Sequence, residues 1–475
     1  MRAQRARRTG AGSSTRAALL ASEHSHARVA LFANARLRTW ITLLALLPAV
    51  LLCGAATPLE AAPAWRERYL AVLTQCRGGD PAVCRDSLLA LRGLLPGHPR
   101  VVSALARACA RAGDGAGVVH ALGLYADMGL AADPAADSTF VAWWQDSAFV
   151  RVSAQLAASA RPLARATALH RFADRNLLSE DVGYDAARRR WLVSSIARRA
   201  VIAVDRAGRE TRLVLRGGDP LWGVYALGVD SARRRLWLGT AATPESGDTA
   251  SAVRGRSALR CYDLDRGVLL RSLEVSRSGG AHVLGGMTVA ANGDVYVTDS
   301  VAGGVYRARW GEDSLGVIVP PGSFVSPQSP VLFVQERVLV VADYSRGIAA
   351  VELEHGAVSW LALPRALATA GIDGLYLWRG HLLAVQNGVE PHRIVAFELD
   401  LRARSITGSR VLEQASPDLG EPNHGAVLGD AFVFIGNSGW ERVGEDGRMD
   451  DGKAALPPLL MRLELPLALT APAKR

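Results

Sequence analysis

The chain has 475 residues, 49% of them hydrophobic, and a formal net charge of +10. This length accommodates one or two folded domains. Residues 1–62 alone carry a net charge of +6, so the rest of the chain carries only +4. Positive and negative charges are therefore nearly balanced after residue 62. Nucleic-acid binding depends on concentrated positive charge, so we expect no nucleic-acid partner.

The N-terminal region has the pattern of a secretory leader. Arg36 and Arg38 precede an apolar run without charge at residues 40–56, and small residues follow it. A basic flank, an apolar run and small residues after that run are typical of a signal peptide. The length of the apolar run is also near the lower limit for a membrane span. We expect residues 1–62 to be a leader, either cleaved or kept as a membrane anchor at residues 40–56. The protein is then periplasmic or secreted.

Residues 65–168 lack strand alternation and are rich in Ala, Leu and Arg. Asp80 before Pro81, together with glycines after the apolar stretches, predicts three helices. The segment from residue 98 to residue 130 resembles a tetratricopeptide helix pair. The resemblance implies a short helical arm, which either binds a peptide in its groove or only covers the main body.

The cysteines have no metal-binding spacing. Cys76 and Cys84 flank a short Gly-Gly-Asp-Pro segment. They either form a disulfide in an oxidising compartment or remain free thiols.

Residues 169–470 contain six stretches with one strand pattern. The clearest is residues 285–308, in which apolar positions recur at the strand period and Asn292-Gly293 is a turn dipeptide. Versions of this stretch recur about every 40 to 60 residues, which is the repeat length of a β-propeller blade of four strands. We therefore predict a mainly β fold, a six-bladed β-propeller preceded by the small all-α arm. The alternative is a β-sandwich, which the recurrence of a small-residue second strand disfavours.

The segment just before the first blade, residues 167–173, is also strand-like. It can supply the outer strand of the sixth blade. The ring would then be closed from its N-terminal side, and no sheet edge would be left open.

In a propeller, the residues that enter the innermost strands become neighbours around the axis. The candidate residues at these entries are Glu180, Asp181, Gly285, Gly286, Gln328, Asp373, Asn423 and His424. Carboxylate and amide oxygens around one axis suit Ca²⁺ or another hard divalent ion. The alternative is that Glu180 and Asp373 only cap backbone amides while water fills the channel. His282 and His424 are candidates for a general base near the channel mouth.

The body resembles the senescence marker protein/gluconolactonase family, and more loosely paraoxonase and strictosidine synthase, all six-bladed propellers. The motifs are SEDVGYD at 179–185, GGMTVAANGDVYVTDS at 285–300, SPQSPVLF at 326–333 and GIDGLYLWRGHLLAVQNG at 371–388. The resemblance implies that Glu180 and Asp373 bind a metal and that Asp373 is also the catalytic base. Gln328 stands where the family has a metal-binding Asn. A second family Asn falls on Gly285 or Gly286, which cannot ligate through a side chain.

Two functions follow as hypotheses. In the first, the protein is a metal-dependent lactone or ester hydrolase with Glu180, Gln328 and Asp373 as metal ligands. Asp373 and His424 are then its catalytic residues, and Ca²⁺ is the expected ion, with Zn²⁺ or Mn²⁺ as alternatives. In the second, the propeller is a non-catalytic scaffold that binds a small ligand or an envelope protein.

Overall fold

The computed structural model describes most of the chain after the predicted leader. The described residues are 64–218, 220–276, 280–333, 335, 337–363, 367–450 and 456–466. Residues 1–62, including the candidate anchor at 40–56, lie outside these ranges.

The location expected from the leader needs correction. None of the helices in the described ranges is long and apolar enough to cross a membrane. The longest of them, Pro81–Leu94, has 14 residues, whereas a span needs about 20. The prediction of a periplasmic or secreted protein with an N-terminal membrane anchor is therefore not supported.

Helices form the first part of the described chain. The α-helices are α1 (Ala64–Cys76), α2 (Pro81–Leu94), α3 (Pro99–Arg111), α4 (Gly115–Asp127) and α5 (Ser147–Ser159), and the 3-10 helices are Pro134–Ala136 and Ser138–Trp143. The Asp80 carboxylate accepts hydrogen bonds from the amides of Ala82 and Val83, so α2 begins as predicted. A disulfide joins Cys76 to Cys84 and ties the end of α1 to α2.

One hydrophobic cluster holds these helices together. Leu105 and Cys109 of α3 are buried in it, and so are Val118 and Leu122 of α4. Within each helix the two residues are four positions apart, which places them on one face of that helix. The assignment of this helical layer to the tetratricopeptide class stays a prediction.

Six four-stranded antiparallel sheets follow. Blade one consists of β2 (Ser179–Asp185), β3 (Arg190–Ser195), β4 (Ala200–Val204) and β5 (Glu210–Arg212). Blade two consists of β6 (Gly223–Asp230), β7 (Arg235–Ala241), β8 (Ser257–Asp263) and β9 (Leu269–Glu274). Blade three consists of β10 (Leu284–Val289), β11 (Val295–Asp299), β12 (Val305–Ala308) and β13 (Gly316–Val319). Blade four consists of β14 (Pro327–Phe333), β15 (Val338–Asp343), β16 (Gly347–Glu352) and β17 (Val358–Trp360). Blade five consists of β18 (Ile372–Trp378), β19 (His381–Gln386), β20 (Arg393–Asp400) and β21 (Ser405–Gln414). The predicted mainly β, six-bladed propeller preceded by helices is confirmed.

The sixth blade combines both ends of the strand-rich body. It consists of β22 (Gly425–Leu428), β23 (Ala431–Gly436), β24 (Leu459–Glu464) and, outermost, β1 (Thr167–Arg171). Strand β1 pairs antiparallel with β24, with Thr167 opposite Arg462 and Arg171 opposite Leu459. This confirms that the N-terminal side of the body closes the ring.

The core of the ring lies between adjacent blades. Leu192 and Val201 of blade one, for example, share a cluster with Leu227 and Leu236 of blade two. Each sheet therefore buries its faces against its neighbours, which explains why strands too short to be stable alone are stable here.

The innermost strands begin with a local irregularity. In each of blades one to five, the register between the first and second strand shifts near the start of the first strand. The extra residues at these bulges are Glu180 and Asp181, Tyr225, Gly285, Gln328 and Ser329, and Asp373. A bulge turns a side chain out of the ladder, so the same structural device presents one position per blade to the axis.

Arg393 joins the helices to the propeller. This residue of β20 is only 3% exposed. Its Nη1 donates to the carbonyls of Met128 and Gly129, each at 3.0 Å, and its Nε donates to Gln386 Oε1 at 2.7 Å. Burial lowers its pKa to about 10, so it stays charged at neutral pH. Because the last carbonyls of a helix lack partners within the helix, Arg393 satisfies the end of α4.

We expect Arg393→Met to lower the free energy of unfolding by about 3 kcal/mol, because three buried acceptors lose a charged donor while the packing volume is kept. Urea unfolding measures the difference. Arg309→Met is the matched control, because Arg309 forms an exposed pair with Glu312 and its loss should cost about 0.5 kcal/mol or less. Equal losses in the two variants would contradict this role of Arg393.

Candidate metal centre

Three ionisable side chains from three blades meet at the axis. They are Glu180 of blade one, Asp373 of blade five and His424, which directly precedes β22 of blade six. Each offers one ligand atom, and these atoms lie within 4.8 Å of one another. We call these three residues the axial cluster. Two of them, Glu180 and Asp373, were predicted as metal ligands, and the third was predicted as a catalytic histidine.

The Glu180 carboxylate is held by two donors. Its Oε2 accepts hydrogen bonds from Asn423 Nδ2 at 2.7 Å and from Trp440 Nε1 at 2.6 Å. Burial, and then the nearby Asp373 carboxylate, raise the pKa of Glu180 to about 8. The group is therefore mostly protonated at neutral pH unless a positive charge stabilises its ionised form.

Asp373 is oriented by a neighbouring amide. Asn387, which directly follows β19, donates through Nδ2 to Asp373 Oδ2 at 2.9 Å and to the Pro422 carbonyl at 3.0 Å. The Asn387 Oδ1 atom is buried and has no hydrogen-bond partner among the described residues. An acceptor oxygen of this kind next to a carboxylate is suited to contact a cation.

His424 lies between carboxylates. Its Nε2 is 3.6 Å from Asp373 Oδ1 and its Nδ1 is 3.7 Å from Asp181 Oδ1. Burial acts to lower the pKa of His424, but Tyr376, Asp181 and Asp373 outweigh it and hold this pKa well above its usual range. The buried Nε2 atom has no hydrogen-bond partner within the described part of the chain.

Asp181 has a structural role beside the cluster. Its carboxylate accepts hydrogen bonds from the backbone amides of Val182 at 2.8 Å and Leu227 at 2.7 Å. It therefore ties blade one to blade two and at the same time orients His424.

Two further predicted positions, Gln328 and Gly285, line the same cavity, whereas Gly286 and Asn423 do not line it. The Nε2 atom of Gln328 donates to Ser326 Oγ at 3.0 Å. The role of Gln328 as a metal ligand stays a prediction. Gly285 also lines the cavity and contributes no side chain to it.

Three residues of the site were not identified from the sequence. Trp440 lies in a loop after β23 without any periodic pattern, and Asn387 was noted only as part of a small-residue second strand. Tyr225 occupies the bulge position of blade two and lines the cavity. The signal that would have found Tyr225 is its alignment with Glu180 and Asp373 at the start of an inner strand.

The cavity above the cluster has a volume of about 400 Å³. Its walls come from both parts of the protein. The propeller contributes Glu180 and Asp373 of the cluster together with Tyr225, His282 and Trp440. The helices contribute Trp65, Tyr69, His98 and Arg100. The helices therefore cover the site and do not extend away from it.

A six-bladed β-propeller with a buried acid–imidazole cluster on its axis is the class of protein that this fold and site define. No protein-family model matches the chain, and no curated protein matches it. Solved propeller structures are similar to the chain, and three of them are the following. A gluconolactonase from Xanthomonas campestris has 18% identity and a TM-score of 0.43, covering 65% of this chain and 93% of that one.

The other two similar structures come from different enzymes. The PQQ-bound aldose sugar dehydrogenase from Streptomyces coelicolor has 15% identity and a TM-score of 0.43, covering 64% of this chain and 99% of that one. Virginiamycin B lyase from Staphylococcus aureus has 14% identity and a TM-score of 0.40, covering 57% and 81%. At these identities the likeness concerns the fold alone.

A cation that binds the axial cluster should displace protons from it, because ligands bind metals in their deprotonated form. With the pKa of Glu180 raised to about 8, the carboxylate gains its charge as pH rises through that value. We expect the affinity for Zn²⁺ or Mn²⁺ to increase by at least about tenfold per pH unit below pH 8, because Glu180 gives up one proton and His424 gives up another. Isothermal titration in buffers of different ionisation enthalpy measures both the affinity and the protons released. A pH-independent affinity with no proton release would contradict binding at this cluster.

Proposed function

We propose that the protein is a metal-dependent hydrolase that opens a lactone or an ester in the cavity on the propeller axis. The observation that carries this proposal is the convergence of Glu180, Asp373 and His424, together with two buried polar atoms, His424 Nε2 and Asn387 Oδ1, that have no hydrogen-bond partner among the described residues. Two carboxylates, an imidazole and an amide oxygen form a donor set that fits a divalent cation. The resemblance of the sequence motifs to the gluconolactonase family supports the same class of reaction.

The donor set favours a different ion from the one expected from the sequence. Ca²⁺ takes oxygen ligands, whereas an imidazole nitrogen suits Zn²⁺ and other transition metals. Because His424 belongs to the cluster, we favour Zn²⁺ or Mn²⁺ over Ca²⁺.

The roles of the residues follow from their contacts. Glu180, Asp373 and His424 would hold the ion, and Asn423 and Trp440 fix the Glu180 carboxylate. A bound divalent cation would polarise the substrate carbonyl and lower the pKa of a water molecule. Asp373, oriented by Asn387, takes the proton from the attacking water. The aromatic side chains Trp65 and Tyr69 on the helices restrict access of bulk water to the cavity, which strengthens electrostatic interactions inside it.

A non-catalytic ligand-binding propeller is the second candidate, and one observation favours it. The raised pKa of His424 means that its imidazole can itself be the positive charge between Asp181 and Asp373. The cluster is then balanced without a metal ion, and the cavity would bind a small ligand without converting it. An envelope protein as the bound partner stays a prediction from the sequence.

We expect the full chain to bind one Zn²⁺ or Mn²⁺ and to open lactones, and we expect Glu180→Gln to lose both properties. Removal of a charged ligand should lower kcat by more than about a hundredfold. The glutamine oxygen can still accept from Asn423 and Trp440, so the free energy of unfolding should change by about 1 kcal/mol or less. Titration calorimetry, a panel of aliphatic lactones and thermal unfolding measure the three effects.

Glu413→Gln is the matched control for this experiment. Glu413 is also a buried glutamate, but its Oε2 accepts from the amides of Arg165 and Ala166, and it does not line the cavity. Its replacement should leave metal affinity and turnover unchanged. If the wild-type chain binds no divalent ion and opens no lactone, the hydrolase is wrong and the ligand-binding propeller remains.

A further inference from the structure

The helices and the propeller contribute different charges to the wall of the cavity. Its acidic residues all belong to the propeller and are Glu180, Glu245, Asp373 and Glu421. The described helices contribute no acidic residue to this wall, but they contribute two arginines, Arg66 of α1 and Arg100 of α3. We call Arg66 and Arg100 the arginine pair. The helical side of the cavity therefore carries positive charge, whereas the axial cluster lies on the propeller side.

The arginine pair lacks a carboxylate partner. Neither Arg66 nor Arg100 forms an ion pair within the described part of the chain. Arg107, which is in the same helix as Arg100, is in contrast paired with Asp137 at 2.8 Å. A planar guanidinium offers parallel donors that match a carboxylate or a phosphate. An arginine that lines a cavity without an acidic partner is therefore suited to an anionic ligand.

Contacts with aromatic residues hold Arg100 at the mouth of the cavity. The side chain is exposed and at the same time lines the cavity. Its guanidinium donates a hydrogen bond to the hydroxyl of Tyr69 in α1. The Tyr69 ring lies 5.2 Å from the ring of His98, which caps the start of α3. Because a guanidinium has five N–H donors, others remain for a ligand.

Tyr344 shows that Arg100 is close to the axial cluster. This residue directly follows β15 of blade four and lines the cavity. Burial raises the pKa of its hydroxyl, the carboxylates of Asp373 and Glu421 raise it further, and Arg100 lowers it. Coulomb interactions weaken with distance, so charges that shift a pKa are close to the titrating group. Arg100 and Asp373 are thus both near one hydroxyl, and a single small ligand can contact both.

Much of the remaining wall is apolar or aromatic. Trp65, Val325 and Trp440 belong to it, together with Tyr69 and Tyr344. The cavity volume of about 400 Å³ is in the range of pockets for small organic ligands. The cavity therefore suits a ligand with an apolar body, a group that reacts at the axial cluster and a negative charge directed to the helices.

We propose that the cavity binds an anionic lactone or ester, whose carbonyl lies at the axial cluster and whose carboxylate or phosphate pairs with Arg100 and Arg66. The place of the carbonyl rests on the proposed function, whereas the pairing of an anion with the helical side does not depend on turnover. The fitting substrate class has an apolar chain that ends in one anionic oxygen group. The helices then select the substrate that the propeller converts.

The test uses the full chain with Zn²⁺ and three series of γ-lactones, whose alkyl chains end in a carboxylate, a phosphate or a primary amide. The amide has nearly the shape of the carboxylate without its charge. We expect kcat/KM to be about tenfold or more higher for the anionic lactones than for the amides. Arg100→Met should remove most of this preference through KM, with less than about a twofold change for the amides.

Two further variants separate recognition of the anion from a general defect. Arg100→Lys keeps the charge but loses the parallel donors, so it should retain part of the preference. Addition of Arg66→Met to Arg100→Met should abolish the preference. The anionic series with the larger loss identifies the ligand as a carboxylate or a phosphate.

Arg111→Met is the matched control, because Arg111 is exposed at the other end of α3 and does not line the cavity. It removes the same charge and should keep the wild-type preference. If the wild type opens amides and anionic lactones equally well, or if the double variant keeps the preference or lowers all three series equally, the inference is wrong while the hydrolase stands.

Binding decides the inference if the wild-type chain opens no lactone at all, an outcome in which the proposed function fails. Titration calorimetry with the same compounds then measures their affinity. Tighter binding of the anionic lactones than of the amides, lost in the double variant, supports the inference. Equal binding of the anionic lactones and the amides contradicts it.

Discussion

The structure depends above all on the closure of the ring at the contact between blade six and blade one. Strand β1 supplies the outer edge of blade six and the chain then continues directly into blade one. On the axial side of the same contact, the amide of His424 donates to the carbonyl of Glu180 at 3.2 Å, and the amide of Ser179 donates to the carbonyl of Ser438 at 3.2 Å. Glu180 and His424, separated by most of the body in sequence, are neighbours because of this closure. The axial cluster therefore forms at the point where the two ends of the body meet.

The same contact determines the electrostatics of the site. Closure takes two carboxylates and an imidazole out of water, and burial of charge is costly unless it is compensated. Two protonation states reduce this cost. Glu180, with its raised pKa, keeps its proton and stays neutral. His424, whose pKa the neighbouring acidic groups raise, gains a proton and compensates their negative charge. A divalent cation offers a third response, in which both protons leave. Either protons or a metal ion can thus compensate the negative charge of the site. Asn423 and Trp440 keep Glu180 in position in both states.

Much of this architecture could be predicted from the sequence, for a definite reason. Strand periodicity and turn dipeptides are local signals, and their repetition identified the six blades and the closing strand at residues 167–173. The positions of Glu180 and Asp373 followed from the phase of the repeat, since each stands at the start of an inner strand. The contacts of Trp440 and Asn387 depend on how individual loops fold over the axis, and no periodic signal reports that. That the helices cover the main body was one of two alternatives from the sequence, but the contacts that hold them there were hidden, because the carbonyl contacts of Arg393 join residues more than 260 positions apart. The membrane anchor at residues 40–56, one of two alternatives for the leader, was inferred from a basic flank and an apolar run, and none of the described helices is long and apolar enough to cross a membrane.

The comparison of the blades explains how one fold can carry a specific site. The strands that form the cores between blades are similarly apolar in all blades. The bulge residue, in contrast, varies among blades one to five: it is an acid in blades one and five, an amide in blade four, a tyrosine in blade two and a glycine in blade three. Because the bulge frees this residue from the ladder, its side chain can change without loss of strand pairing. A second position in each blade follows the same logic. Asp299 at the end of β11 and Asp343 at the end of β15 accept hydrogen bonds from equivalent loop amides, but only Asp299 also contacts a histidine, His282, at 2.6 Å. The chemistry of the cavity is therefore set by one or two positions per blade. The asymmetry among those positions places the charged side chains at blades five, six and one and leaves blade three without a side chain at its bulge position.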